Sequence, residues 1–151
     1  MDDVQWKAPD LVGIALLDAQ HLEIHRLIQA LMGLPEGPGS AAETEARLNQ
    51  LTEKIMAHFM AEEEFLAARQ YPDLAGHRTE HELLFEHIWA KLIRRHAPNP
   101  PPLARVVQDV AELIRDHQQT VDQDYAAWLQ GRVRAPVEPE GLPEDPGYDV
   151  F

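Results

Sequence analysis

Residues 51–68 read LTEKIMAHFMAEEEFLAA, and this stretch decides the fold. Leu51, Ile55, His58, Phe59, Glu62, Phe65 and Leu66 recur at threes and fours, the spacing of one face of an α-helix. Two members of that stripe, His58 and Glu62, are not apolar. They stand one turn apart, so both address the same small volume, about 6 Å apart along the axis. Burying an imidazole and a carboxylate without a compensating partner is costly. The stripe therefore specifies a helix and, within it, a demand for a ligand.

Working outward, the same periodicity predicts three more helices. The first is expected over about 12–33, with Leu16, Leu17, Ile24, Leu27, Ile28 and Leu31 as its stripe, and it stops at Gly33 and the turn-rich segment 35–40. The second, over 41–69, ends before Tyr71-Pro72, because proline lacks an amide donor and restricts its predecessor. The third is expected from Asp73, as its cap, to about 96. It carries His77, His81, Leu84, Phe85, Ile88, Leu92 and Ile93. The turn Pro98-Asn99-Pro100-Pro101-Pro102 leads into a fourth over 102–129, with Val106, Val110, Leu113, Ile114, His117, Val121, Tyr125 and Leu129 available for packing. Phe59, Phe85, Trp89, Tyr125 and Trp128 are expected to pack as well. The predicted fold is all-α, an up-down-up-down antiparallel four-helix bundle over residues 1–131. Residues 1–12 form an N-terminal arm with Trp6 packed down on the bundle. Residues 132–151 are a proline-rich acidic C-terminal tail, expected to be extended or poorly ordered.

Composition bounds the function. The chain has 151 residues, a formal net charge of -13 and no cysteine. A surface this acidic repels nucleic acid and anionic membrane. Without cysteine there is no disulfide, thiolate nucleophile, iron–sulfur ligation or thiol-bound zinc. No apolar run is long enough for a transmembrane helix and no signal peptide is visible, so the expected location is cytoplasmic, without membrane insertion. No glycine-rich phosphate loop, basic patch or nucleophile motif supports a nucleotide, DNA or hydrolase reading.

Further candidate ligands extend the pattern of His58 and Glu62. His77 and His81 are a second one-turn pair, His117 and Asp122 stand five residues apart, and His21 comes from the first helix. In an up-down-up-down bundle these positions reach one level. Five imidazoles and two carboxylates can hold two transition-metal ions, three histidines on one and two on the other, with the carboxylates bridging. A solvent-derived bridge would leave one position open on the histidine-poor ion. Such ligands suit iron, manganese or zinc; dioxygen chemistry needs a redox-active choice. A closed zinc site would use four ligands, and ferritin-like sites are richer in glutamate.

These residues resemble the hemerythrin family, and within it the bacterial hemerythrins. The resemblance rests on Gln20-His21, the His58-Phe59-x-x-Glu62-Glu63 run, Tyr71-Pro72, His77-x-x-x-His81 and His117-x-x-x-x-Asp122, in that order, with Trp6 and Gly13 ahead of them. It spans roughly residues 6–129. It implies that His77, His81 and His117 bind one iron and His21 and His58 the other, with Glu62, Asp122 and an oxo or hydroxo group bridging. It further implies reversible dioxygen binding, end-on as hydroperoxide at the five-coordinate iron, for carriage, storage or local delivery, and no enzymatic turnover. The alternatives are sensing of oxygen, redox state or nitric oxide, or a diiron enzyme acting on nitric oxide or peroxide; no protein partner is implied.

Phe59 and Ile114 match apolar positions of the dioxygen pocket. Gln118 departs from the pattern, which places isoleucine after the histidine matching His117; pointing inward, it would donate a hydrogen bond to the ligand or admit water. His25, one turn from His21, is expected to support a ligand by hydrogen bonding and not to bind metal. Glu63, Glu80, Glu82, Asp116 and Asp124 are expected in solvent, with His87 and His96 on the surface. Tyr125 is placed either at a carboxylate of the site or on the surface.

Overall fold

Leu17, His21, Ile24, Ile28 and Leu31 face inward from the first helix, α1 (Ala15–Met32). The computed structural model describes residues 11–35 and 38–131. Four further helices follow: α2 (Ala41–Ala68), α3 (Leu74–Ile93), α4 (Leu103–Gln119) and α5 (Val121–Leu129). The expected arm before Leu11, including Trp6, and the expected tail over 132–151 lie outside the described residues.

The order of buried residues fixes the direction of each helix. One apolar cluster contains Ile24, Ile28 and Leu31 of α1, Leu48, Leu51 and Ile55 of α2, Leu84, Ile88 and Leu92 of α3, and Val106 to Ile114 of α4. The other contains Val12, Ile14, Leu17, Leu66, Tyr125 and Ala126. Moving along the chain, α1 passes from the second cluster to the first, α2 returns, α3 heads into the first, and α4 with α5 returns to the second. That is the up-down-up-down antiparallel bundle. Each rod packs on its sequence neighbours, and α1 closes the ring against α4. On every rod the candidate ligands fall between the two clusters or at the edge of one, so the site is a polar layer between apolar blocks.

The first helix starts at Ala15, three residues later than expected. Asp18 causes this: its carboxylate accepts from the amides of Val12 at 2.8 Å and Gly13 at 3.1 Å. Gly13 adopts φ 85, a left-handed conformation that favours glycine. The turn buries Val12 and Ile14. α2 ends as its proline predicts, and the Tyr71 amide closes onto Leu66 O at 3.0 Å. Asp73 is the residue before α3, but its side chain makes no capping bond. α3 stops at Ile93, and Arg94–His96 tighten into a 3₁₀ turn.

The fourth rod is not one helix. It breaks at Thr120 (φ -118, ψ -77), where the hydroxyl bonds back to Asp116 O at 2.6 Å. A β-branched residue bonding its own preceding turn competes with regular helix. Gln123 Nε2 donates to Gln118 O at 3.4 Å and to Leu11 O at 3.2 Å, tying the break to the N-terminal segment. Trp89, expected to pack, is 53 % exposed on α3. No helix among the described residues is long and apolar enough to cross a membrane.

Candidate metal centre

Each rod delivers its share of the site from the inward stripe. α1 brings His21, α2 brings His58 and Glu62, α3 brings His77 and His81, and α4 and α5 bring His117 and Asp122. All seven are buried. The break at Thr120 accounts for the five-residue spacing: on a continuous helix His117 and Asp122 would diverge by about 140°. Instead His117 Nε2 lies 3.0 Å from Asp122 Oδ1.

The geometry divides into two overlapping groups. Ligand atoms of His77, His81, His117, Glu62 and Asp122 lie within 4.8 Å of one another, and so do those of His21, His58, Glu62 and Asp122. Both carboxylates belong to both groups. Glu62 Oε1 meets His77 Nε2 at 2.5 Å and His81 Nε2 at 3.0 Å, while Oε2 meets His58 Nε2 at 3.2 Å. Asp122 Oδ1 faces His117 and, at 3.5 Å, His77; Oδ2 faces His21 at 3.6 Å. Each carboxylate thus sends one oxygen to each histidine group.

These atoms fit cations better than they fit one another. His21 Nε2 and His58 Nε2 approach to 2.7 Å, two imidazole nitrogens that need one proton between them. Both Asp122 oxygens and His117 Nε2 are buried without a hydrogen-bond partner. Neither carboxylate is exposed at all, and no lysine or arginine is among the groups acting on them. Two buried carboxylates with no lysine or arginine beside them among the described residues, ringed by imidazoles, fit the donor set of a metal centre.

The electrostatics follow. Burial pushes the His21 pKa down to about 3, helped by His58. Burial likewise takes His117 down to about 3. These imidazoles are held neutral, the state that binds metal. Burial opposes ionisation of Glu62, but hydrogen bonds from His58, His77 and His81 outweigh it and hold its pKa well below the usual range. Burial and the neighbouring Glu62 charge push Asp122 up. His81 is raised: burial works against its charge, and Glu62 and Glu63 more than offset that.

The surrounding side chains sort as follows. Phe59 stacks on His81 with centroids 4.1 Å apart and 10° between planes, and it also borders His117. Ile114 is buried in the larger apolar cluster. Gln118 is 2 % exposed, and its Oε1 has no hydrogen-bond partner. His25 is half-buried and belongs to neither ligand group. Tyr125 is fully buried and donates to Glu62 Oε2 at 2.9 Å. Glu80, Glu82, Asp116, Asp124, His87 and His96 are exposed, as expected. Glu63 is a correction: it is half-buried, and its Oε2 accepts from His81 Nδ1 at 2.8 Å. Gln20 plays the matching part for His58, accepting from Nδ1 at 2.7 Å. The signal for Glu63 was its place beside Glu62, on the flank of α2 that meets α3.

Fold and site together define a helical-bundle domain whose two overlapping donor groups could each hold a metal ion. The chain belongs to the hemerythrin family: the model of the Hemerythrin HHE cation binding domain matches residues 12–129. It is similar to the bacteriohemerythrin of Ralstonia nicotianae, 26 % identical over 133 residues, covering 87 % of this chain and 93 % of that protein. It is also similar to the bacteriohemerythrin of Methylococcus capsulatus, 28 % identical over 130 residues, covering 82 % and 95 %. A shorter match, 28 % identical over 83 residues, joins it to the bacteriohemerythrin of Stenotrophomonas maltophilia, covering 55 % and 54 %. No solved structure matches the chain significantly.

Proposed function

We propose that this domain binds dioxygen reversibly at a diiron centre, for carriage, storage or local delivery. His77, His81 and His117 would hold one iron, His21 and His58 the other, and Glu62 and Asp122 would serve both, with an oxo or hydroxo group as a further shared ligand. The observation that carries this reading is the division of each carboxylate's oxygens between the two histidine groups. The unequal split, three imidazoles against two, gives the side of His21 and His58 fewer protein donors, so a small ligand would be taken up there. When bound by these residues, iron would supply the electrons that dioxygen binding requires.

The remaining residues hold and shield the centre. Phe59, flat against His81, and Ile114 form an apolar wall that excludes water. Tyr125 fixes the orientation of Glu62 through its hydroxyl. Gln118 brings a buried amide to a wall where the family places isoleucine. The names of the similar proteins support oxygen binding. The imidazole-rich donor set supports ligand carriage over the glutamate-rich chemistry of iron oxidation.

The test is an optical titration of the reduced, iron-loaded protein with air, followed by deoxygenation. A charge-transfer band that appears with air and disappears without it, over repeated cycles, is the expected result. Prompt irreversible oxidation with steady consumption of reductant would instead assign an enzyme.

A further inference from the structure

The outer nitrogens of the candidate ligands are not treated alike. His81 Nδ1 donates to the carboxylate of Glu63 at 2.8 Å, and Glu63 Oε1 in turn accepts from Arg78 Nε at 3.2 Å. His58 Nδ1 donates to the amide oxygen of Gln20, a neutral acceptor, at 2.7 Å. His21 Nδ1 is buried with no hydrogen-bond partner. The support is therefore anionic at His81, in the three-histidine half, and neutral at His58 or absent at His21, in the two-histidine half.

This difference has chemical content. A carboxylate can only accept, so the proton on the Glu63 side of His81 stays on Nδ1; with a cation in the site, the proton that Nε2 now directs at Glu62 Oε1 would leave and Nε2 would become the ligand atom. A negative charge behind an imidazole also raises its basicity as a ligand, which a neutral amide does far less. Glu63 is only 24 % exposed, so its charge is felt more than that of a solvated surface group.

We propose that Glu63 is a positioning residue that makes the half formed by His77, His81 and His117 the tighter-binding of the two, and that sets the order in which the metal pair assembles. Gln20 is its neutral counterpart on the other half. Arg78 orients Glu63 and tempers its charge. The inference rests on the ligand assignment proposed above.

The test uses the full chain, cleared of metal by chelation and titrated with Zn(II). Calorimetry reads the steps, and imidazole proton–nitrogen NMR identifies which histidines bind in each. The wild-type protein should take two ions, the first on His77, His81 and His117. Glu63→Gln keeps a hydrogen-bond acceptor but loses the charge; it should weaken the first step by about 10- to 100-fold and leave the second unchanged. Glu63→Asp should restore much of the loss. Gln20→Glu, a gain of charge that does not depend on a damaged fold, should tighten the second step. Arg78→Ala should leave the first step unchanged or tighter.

Unchanged affinities in both Glu63→Gln and Gln20→Glu would overturn the proposal. So would an equal loss in Arg78→Ala and Glu63→Gln, which would mean that the ion pair merely braces α2 against α3. A wild-type protein that binds fewer than two ions would instead overturn the ligand assignment beneath it.

Discussion

Asp122 of α5 and Glu62 of α2 are two fully buried carboxylates among the same five imidazoles, and burial together with the charge on Glu62 pushes the pKa of Asp122 up. Two like charges in so dry a place cannot both ionise without cations between them. Asp122→Asn removes this conflict but also removes a bridge. In the metal-free protein it should raise stability, by on the order of 1 kcal/mol, seen as a higher urea midpoint. After iron loading, elemental analysis should find fewer than two ions per chain. A lower midpoint in the metal-free variant would contradict the repulsion.

Tyr125 contributes the hydroxyl that holds Glu62 Oε2 at 2.9 Å. A hydrogen bond to a charged group inside a protein is worth about 1.5–3 kcal/mol. Tyr125→Phe keeps the ring in its apolar cluster and should cost about that much, measured by denaturant unfolding. A loss well below 1 kcal/mol would show that the bond does not orient the carboxylate.

Gln118 is buried with its side-chain amide oxygen, Oε1, unpartnered. Replacing an unsatisfied buried amide with an apolar side chain of similar size recovers part of its desolvation cost, about 1–3 kcal/mol. Gln118→Ile should therefore be the more stable protein. If Gln118 lines the proposed ligand pocket, the iron-loaded variant should also differ from wild type in its rate of oxidation by air. Equal autoxidation rates would remove Gln118 from the ligand pocket.

The low pKa values of His21 and His117 make a pH prediction with a definite sign. Each titrates near 3 in the fold against 6.5 when unfolded, so between these values unfolding takes up protons. Their contribution to the stability of the metal-free protein is complete above pH 6.5 and is lost as the pH falls through the window. The raised groups, His81 and Asp122, act in the opposite sense, so a comparison is needed. The double variant His21→Leu, His117→Leu should lose less stability between pH 7.5 and 5 than the wild type. Identical slopes would show that these imidazoles are not held neutral.

Much of this was legible in the chain. The apolar stripes of α1, α2 and α3 follow the helical period closely enough to give the rods, and proline marks their ends. The convergence of the candidate ligands was legible for the same reason: His58, Glu62, His77 and His81 occupy positions where apolar residues belong. What was not legible depends on contacts between elements. The break at Thr120 arises from one hydroxyl bond and from Gln123 bridging to Leu11, which the periodicity of residues 103–129 conceals. Glu63 reads as a surface acid until α3 brings His81 beside it. Trp89 reads as core because of its size, yet its place on α3 turns it outward. The late start of α1 depends on Asp18 folding back over Gly13, a local competition that pattern alone does not resolve.

In the proposed centre, Glu62 and Asp122 join two irons into a single unit. Electron paramagnetic resonance of the oxidised, iron-loaded protein, with elemental analysis of the same sample, tests it most directly. Two ferric ions bridged through these carboxylates should couple their spins, leaving two irons per chain and almost no mononuclear ferric signal. A mononuclear ferric signal that accounts for all the iron present would contradict it.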